Sequence, residues 1–206
     1  MMAVDIRAND LRIVGHDNDT VLDLRPIQGL WTEEQYLTMT DHSRRLLEFD
    51  DGYIAVLPMP TRKHQVILAY LYELFVAFIR PRDGIVLFAP LRLQVRPGKY
   101  REPDLLLLRD THDPRNQNSF WLGADLVVEI VSPDDPDRDT KVKRADYAEA
   151  GIPEYWIVDP EAESITVLQL AGDTYMEHGI FQRGETATSA LLDGFSMPVD
   201  AVLDAR

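Results

Sequence analysis

Two stretches of this chain, Asp104–Leu108 and Leu126–Val131, are almost unbroken runs of leucine, valine and isoleucine. Apolar runs this short are what strands look like when both faces of their sheet are covered. They demand a central sheet with a layer packed on each side. Helical and strand-like periodicities are interleaved along the rest of the chain. The expected class is therefore α/β (or α+β), a central mixed sheet flanked by helices. The 206 residues suit one domain, 31–206, preceded by an N-terminal extension, 1–30.

Local signals mark out the other elements. Apolar runs at Leu11–Val14 and Val21–Leu24 flank Asp17-Asn18-Asp19 and suggest a small hairpin. Thr32 followed by Gln35 is a capping-box pattern. Asp51-Gly52 joins Leu46–Asp50 to Tyr53–Leu57 as a tight hairpin. Thr61 caps the longest helix, Arg62 to Arg80. Its stripe is read as Val66, Ala69, Tyr70, Leu74 and Ala77, widened by Leu68, Leu71, Phe75 and Phe78. Further strands are expected at Ile85–Phe88, Leu91–Val95, Glu154–Val158 and Ile165–Leu170. A helix is expected from Asp139 to Ala150, with Asp139 as its N-cap and Gly151 as its stop.

Composition removes several function classes. Without cysteine there is no disulfide scaffold, thiolate zinc site or cysteine nucleophile. The longest apolar stretch, Ile67 to Ile79, contains Glu73 and is too short to span a bilayer, so no membrane partner is expected. No signal peptide is visible, which leads to the expectation of a cytoplasmic protein. A net charge of −14 opposes indiscriminate binding to nucleic acid. Residues 61–101 run against that balance, with eight basic residues and two acidic ones. A local basic face and a scatter of solvated charges are both compatible with that count.

The informative residue is Glu129, a carboxylate on the same strand face as Val127 and Val131. Buried there, it needs a metal, a lysine or an arginine against it, and a purely structural ion pair would serve. Asp104 opens the neighbouring apolar run. If the two strands pair, the acids come close enough to share one cation, and oxygen ligands with open positions suit Mg²⁺ or Mn²⁺. Lys143 lies on the helix after the Glu129 strand and shares a face with Tyr147. It could stabilise charge in a phosphodiester transition state or simply pair with Asp139 or Asp146. Lys141 is a rival that points elsewhere around the helix. Glu48 is a fourth candidate, although alternation with Leu47 and Phe49 reads more simply as a surface glutamate. His64, near the start of the long helix, could contact phosphate or the site.

Several blocks occur together in the order of one known family: Glu48-Phe-Asp-Asp-Gly52, His64, Pro103-Asp104, Glu129-Ile-Val-Ser-Pro133, Asp139 with Lys143 and Tyr147, and Gly151-Ile-Pro-Glu-Tyr-Trp-Ile-Val-Asp159. Over residues 31–203 the chain resembles the Uma-type "putative restriction endonucleases" of the PD-(D/E)xK nuclease superfamily. The resemblance implies a restriction-endonuclease-like core, with Asp104 and Glu129 holding Mg²⁺ (or Mn²⁺). Lys143 and Glu48 would be catalytic partners and His64 a substrate contact. The superfamily lysine, two residues after the acid, is replaced here by Val131, and Lys143 on the following helix fits its role. Asp134 and Asp135 stand where serine or threonine is more usual. Tyr147 and Glu154-Tyr155-Trp156 are read as packing. The implied function is metal-dependent hydrolysis of nucleic acid, DNA rather than RNA, by a chain that works as a homodimer. A non-catalytic binding or assembly module with the same fold is the alternative.

Overall fold

The computed structural model describes residues 12–14, 20–43, 45–133 and 135–206. In chain order the elements are β1 (Arg12–Val14), β2 (Thr20–Asp23), α1 (Glu33–His42), β3 (Leu47–Asp50), β4 (Tyr53–Val56), α2 (Arg62–Ile79), β5 (Ile85–Phe88), β6 (Leu93–Arg96), β7 (Lys99–Arg101), β8 (Leu105–Leu108), β9 (Leu126–Ile130), α3 (Lys143–Glu149), β10 (Glu154–Asp159), β11 (Ser164–Ala171), β12 (Thr174–Gln182), β13 (Thr186–Thr188), β14 (Ser196–Pro198) and α4 (Val199–Leu203). They form two compact units, Met1–Met59 with Pro97–Glu102, and Pro60–Arg96 with Pro103–Arg206.

In the first unit β1 and β2 pair antiparallel, as expected, and the expected turn at Asp17-Asn18-Asp19 lies outside the described residues. Thr32 and Gln35 form the reciprocal capping box that starts α1. Strands β4, β3 and β7 pair antiparallel in that order. The β3–β4 turn holds Asp51 at φ 43° and Gly52 at φ 90°. A Cβ on Gly52 would also lie 2.6 Å from the Gly29 carbonyl oxygen, so glycine is required there. Tyr36 fills the centre, with its ring 5.1 Å from Phe49 and 5.4 Å from Tyr100.

The second unit is the predicted sandwich. Six strands pair in the order β12-β11-β10-β9-β8-β5. Only β9 and β10 are parallel, and the chain between them passes through α3. Each face of the sheet has its own core. Leu105, Leu107, Leu126, Val128 and Ile130 pack with α2 and α4, while Leu106, Leu108, Val127 and Val131 pack with Tyr147 and Ile152. This is why both runs lack polar alternation. At the start of β10, Glu154 is fully buried and accepts from Trp156 Nε1, Ser189 Oγ and the amides of Ala190 and Leu191. Those bonds tie the closing segment to the sheet.

Several expectations need correction. The buried face of α2 is Ile67, Leu68, Leu71, Phe75 and Ile79, whereas Ala69 and Ala77 face solvent. Both stripes have helical spacing, and the larger side chains take the core because they remove more apolar surface from water. The strand expected from Leu91 begins at Leu93, after a turn in which the Leu91 amide bonds the Phe88 carbonyl. Asp139 is not an N-cap. Helical structure already starts at Pro136, a residue suited to a first helical position, and passes through a π turn, Arg138–Val142, before α3. Gly151 does stop the helix, at φ 68°. Strands β12 to β14 were not anticipated. β12 is an edge strand with one wet face, and Glu177, His178 and Gly179 interrupt its pattern.

Phe75 is fully buried and stacks on Phe195, with ring centroids 4.5 Å apart. Phe75→Ala should cost about 3–5 kcal/mol in urea unfolding. Ala69→Gln on the solvent side should stay within about 0.5 kcal/mol.

Candidate functional site

Register brings the two acids together. Leu105 pairs with Val128 across the antiparallel β8–β9 ladder, and one further step sets Asp104 opposite Glu129. The β8 backbone leaves the ladder at that point and the Asp104 side chain takes over, with Oδ2 accepting the Ile130 amide hydrogen at 2.8 Å. Glu129 points to the face occupied by Val127, Val131 and Tyr147 and is only 2% exposed. The Asp104 side chain is 16% exposed, so this end of the pair reaches solvent.

The crossover helix lies over that face and supplies the counter-charge. Lys143 Nζ stands 2.8 Å from Glu129 Oε2 and 3.1 Å from Asp139 Oδ1. It is itself buried, at 4% exposure. Tyr147, one turn further on, donates its hydroxyl to Glu129 Oε1. Both oxygens of Glu129 are therefore gripped from one helix. Lys141 points away, 71% exposed and paired with Asp137. From the other side of the sheet, α2 brings His64 Nε2 to 3.1 Å from Asp104 Oδ2.

The charges here do not balance. Burial pushes the Glu129 carboxyl from 4.5 up to about 8, and Asp104 and Asp139 push it the same way. The ammonium of Lys143 acts against them without prevailing. Val131, two residues after Glu129, is a core residue.

Other expected residues land differently. Glu48, read as a surface residue, is 2% exposed in the first unit. Arg101 Nε is 3.6 Å from its Oε2, and the Glu102 amide donates to its Oε1 at 3.4 Å. The basic residues of 61–101 do not form one exposed run. Arg92 and Arg101 are buried, Arg96 pairs with Glu149 and Lys99 with Asp50. Arg62 and Lys63 are exposed in the first turn of α2, beside His64, but Arg80 and Arg82 lie at its far end, about 25 Å away at 1.5 Å per residue. Asp134 lies outside the described residues.

Two members of the site do more than their first assignment in the sequence. Asp139 reads as a cap and also as a partner for Lys143, and the structure bears out the second; Tyr147 reads as packing alone. Tyr147 does pack, 5.1 Å from the Tyr155 ring, but its hydroxyl also holds Glu129. The available signal was spacing, since 139, 143 and 147 fall at successive four-residue steps on one helical face.

A family model described as "Uma2: Putative restriction endonuclease" matches residues 33–200. The chain belongs to the Uma2 family. No curated protein matches it significantly in sequence. Among solved structures, a "putative nuclease belonging to DUF820" from Anabaena variabilis aligns with a TM-score of 0.66 and 18% identity, over 82% of this chain and 97% of that one. That likeness establishes a common fold. Among the described residues of this Uma2 protein, no helix is long and apolar enough to cross a membrane.

The raised Glu129 sets a pH dependence. Between 4.5 and about 8 the folded protein holds a proton there that the unfolded chain has released. Stability should therefore fall as pH rises through that window, by at most about 1.4 kcal/mol per pH unit from this group. Urea unfolding of Glu129→Gln should lack that component of the slope.

Proposed function

We propose that this Uma2-family protein is a metal-dependent nuclease of the PD-(D/E)xK type, hydrolysing phosphodiester bonds in DNA. The observation that supports this best is the meeting of Asp104, Glu129 and Lys143 at one end of the β8–β9 pair. A buried lysine held between two carboxylates adds little to stability, because desolvation offsets the attraction. Its presence is better explained by chemistry.

The donor set fits a hard divalent cation. Among the described residues no group of three or more His, Cys, Asp and Glu side chains stands ready to hold an ion. Two carboxylates are nevertheless enough for Mg²⁺, which is commonly held by one or two of them while water and substrate oxygens complete its shell. Asp104 and Glu129 would hold it, with Mn²⁺ as a substitute. When bound, such an ion supplies Lewis-acid stabilisation of the phosphoryl group.

The chain's own residues do the rest. Lys143 places a positive charge in a water-poor setting, where it acts strongly on negative charge developing on phosphoryl oxygens. Tyr147 fixes the rotamer of Glu129. Arg62 and Lys63, in the same turn as His64, offer charge to the substrate backbone. The preference for DNA and the homodimer, in which two sites cut two strands, rest on the family resemblance.

In Mg²⁺ or Mn²⁺ the protein should cleave a nucleic acid. Asp104→Asn and Glu129→Gln should each lower the rate by about 10²-fold or more while circular dichroism stays unchanged. Mn²⁺ binding without cleavage of linear, supercoiled or single-stranded substrates would instead favour a binding module. Mn²⁺ affinity should rise with pH up to about 8, because binding must expel the proton on Glu129. An affinity independent of pH would count against Glu129 as a ligand.

A further inference from the structure

We propose that His64 is a positioning residue, fixing which oxygen of Asp104 faces an incoming divalent cation. The inference rests on the nuclease reading above and goes further, because it assigns unequal roles to the two oxygens of one carboxylate.

Asp104 Oδ2 accepts two hydrogen bonds, from the Ile130 amide at 2.8 Å and from His64 Nε2 at 3.1 Å. Both donors converge on the same oxygen. Among the described residues Oδ1 has no hydrogen-bond or ion-pair partner. An ionised carboxylate has about four lone-pair sites, so saturating one oxygen leaves the other to take a ligand. The amide sits on the sheet and the imidazole comes from α2, so the carboxylate is held by two rigid elements. Rotation about its Cβ–Cγ bond would break both bonds.

The imidazole gives up something to do this. Its Nδ1 is buried and has no hydrogen-bond partner. Buried polar atoms are rarely left unpaired, and the exceptions call for an explanation. A ring placed only to satisfy itself would bond through both nitrogens. Here the backbone is fixed as well, because the Thr61 hydroxyl accepts the His64 amide hydrogen at 3.2 Å. The contact with Asp104 decides the ring's orientation, and the hydrogen must lie on Nε2, because Oδ2 can only accept. Ligating carboxylates are generally held by such outer hydrogen bonds, and their loss weakens metal binding by about 10- to 100-fold.

The test is titration of the full-length protein with Mn²⁺, followed by electron paramagnetic resonance of the free ion. Wild type, Asp104→Asn, His64→Ala and His64→Gln are compared, with thermal unfolding recorded for each. The amide nitrogen of glutamine can replace Nε2 as the donor. His64→Ala should weaken Mn²⁺ binding by about 10- to 100-fold, and His64→Gln should recover most of that loss. Unchanged affinity in a folded His64→Ala overturns this proposal alone, provided Asp104→Asn still abolishes binding. A glutamine variant as weak as the alanine one also overturns it, because ring packing and not the donated hydrogen would then matter. A wild type that binds no Mn²⁺ overturns this proposal together with the metal-dependent reading. Long-range ¹⁵N–¹H spectra of the wild-type imidazole give a check independent of any variant. They should show the hydrogen on Nε2, and a ring carrying it only on Nδ1 would overturn the assignment.

Discussion

A single ammonium between two carboxylates sets the rest of the site. Lys143 lies within 3.1 Å of both Glu129 and Asp139, in a part of the protein almost closed to water. Opposite charges about 4 Å apart attract by roughly 4 kcal/mol at an effective dielectric near 20, yet removing each from water costs several kcal/mol. Lys143 therefore cannot fully offset the burial of Glu129, and the upward push on that carboxyl is the visible residue of the imbalance. Asp104 adds negative charge from the next strand. The cluster is short of positive charge, a state that the proposed divalent cation would relieve.

Topology explains how four elements supply one cluster. β8 and β9 are antiparallel, so the start of one coincides with the end of the other, and Asp104 meets Glu129 there. β9 and β10 are parallel, so the chain must cross over a face of the sheet between them. That crossover carries α3, and hence Lys143 and Tyr147, onto the face where Glu129 points. The other face belongs to α2, whose first turn delivers His64 to Asp104. The two acids are thus approached from opposite sides of the sheet, one by a lysine and a tyrosine, the other by a histidine.

Burial on both faces was legible in the sequence because Leu105–Leu108 and Leu126–Ile130 lack alternation, and Glu129 stood out against that background. Asp104 followed from adjacency of the strands. What the sequence hid depended on tertiary choice. The apolar stripe of α2 is broad, and only packing turns Ile67 and Ile79 inward with Leu71 and Phe75 while Ala69 and Ala77 face solvent. Glu48 alternates like a surface residue, and its burial depends on Arg101, some fifty residues away. Tyr147 carries an apolar ring and a polar tip, and pattern reads the ring alone. Asp139 reads both as a cap and as a partner for Lys143, because capping residues and buried anions use the same side chain, and the fold takes the second.

The approach to α3 carries a further argument. Arg138–Val142 form a π turn, closed where the Lys143 amide bonds the Arg138 carbonyl. Such turns are rare, occur mostly as single turns inside α-helices, and are frequent at functional sites. A uniform helix from Pro136 would have been the easier solution for a segment that only had to cross the sheet. The π turn lies where Asp139 and Lys143 must both turn inward while Lys141 stays in solvent with Asp137. The fold therefore accepts a local backbone irregularity at the residues that hold the buried lysine. Together with an ion pair that burial makes a poor source of stability, this irregularity supports the role proposed for Lys143.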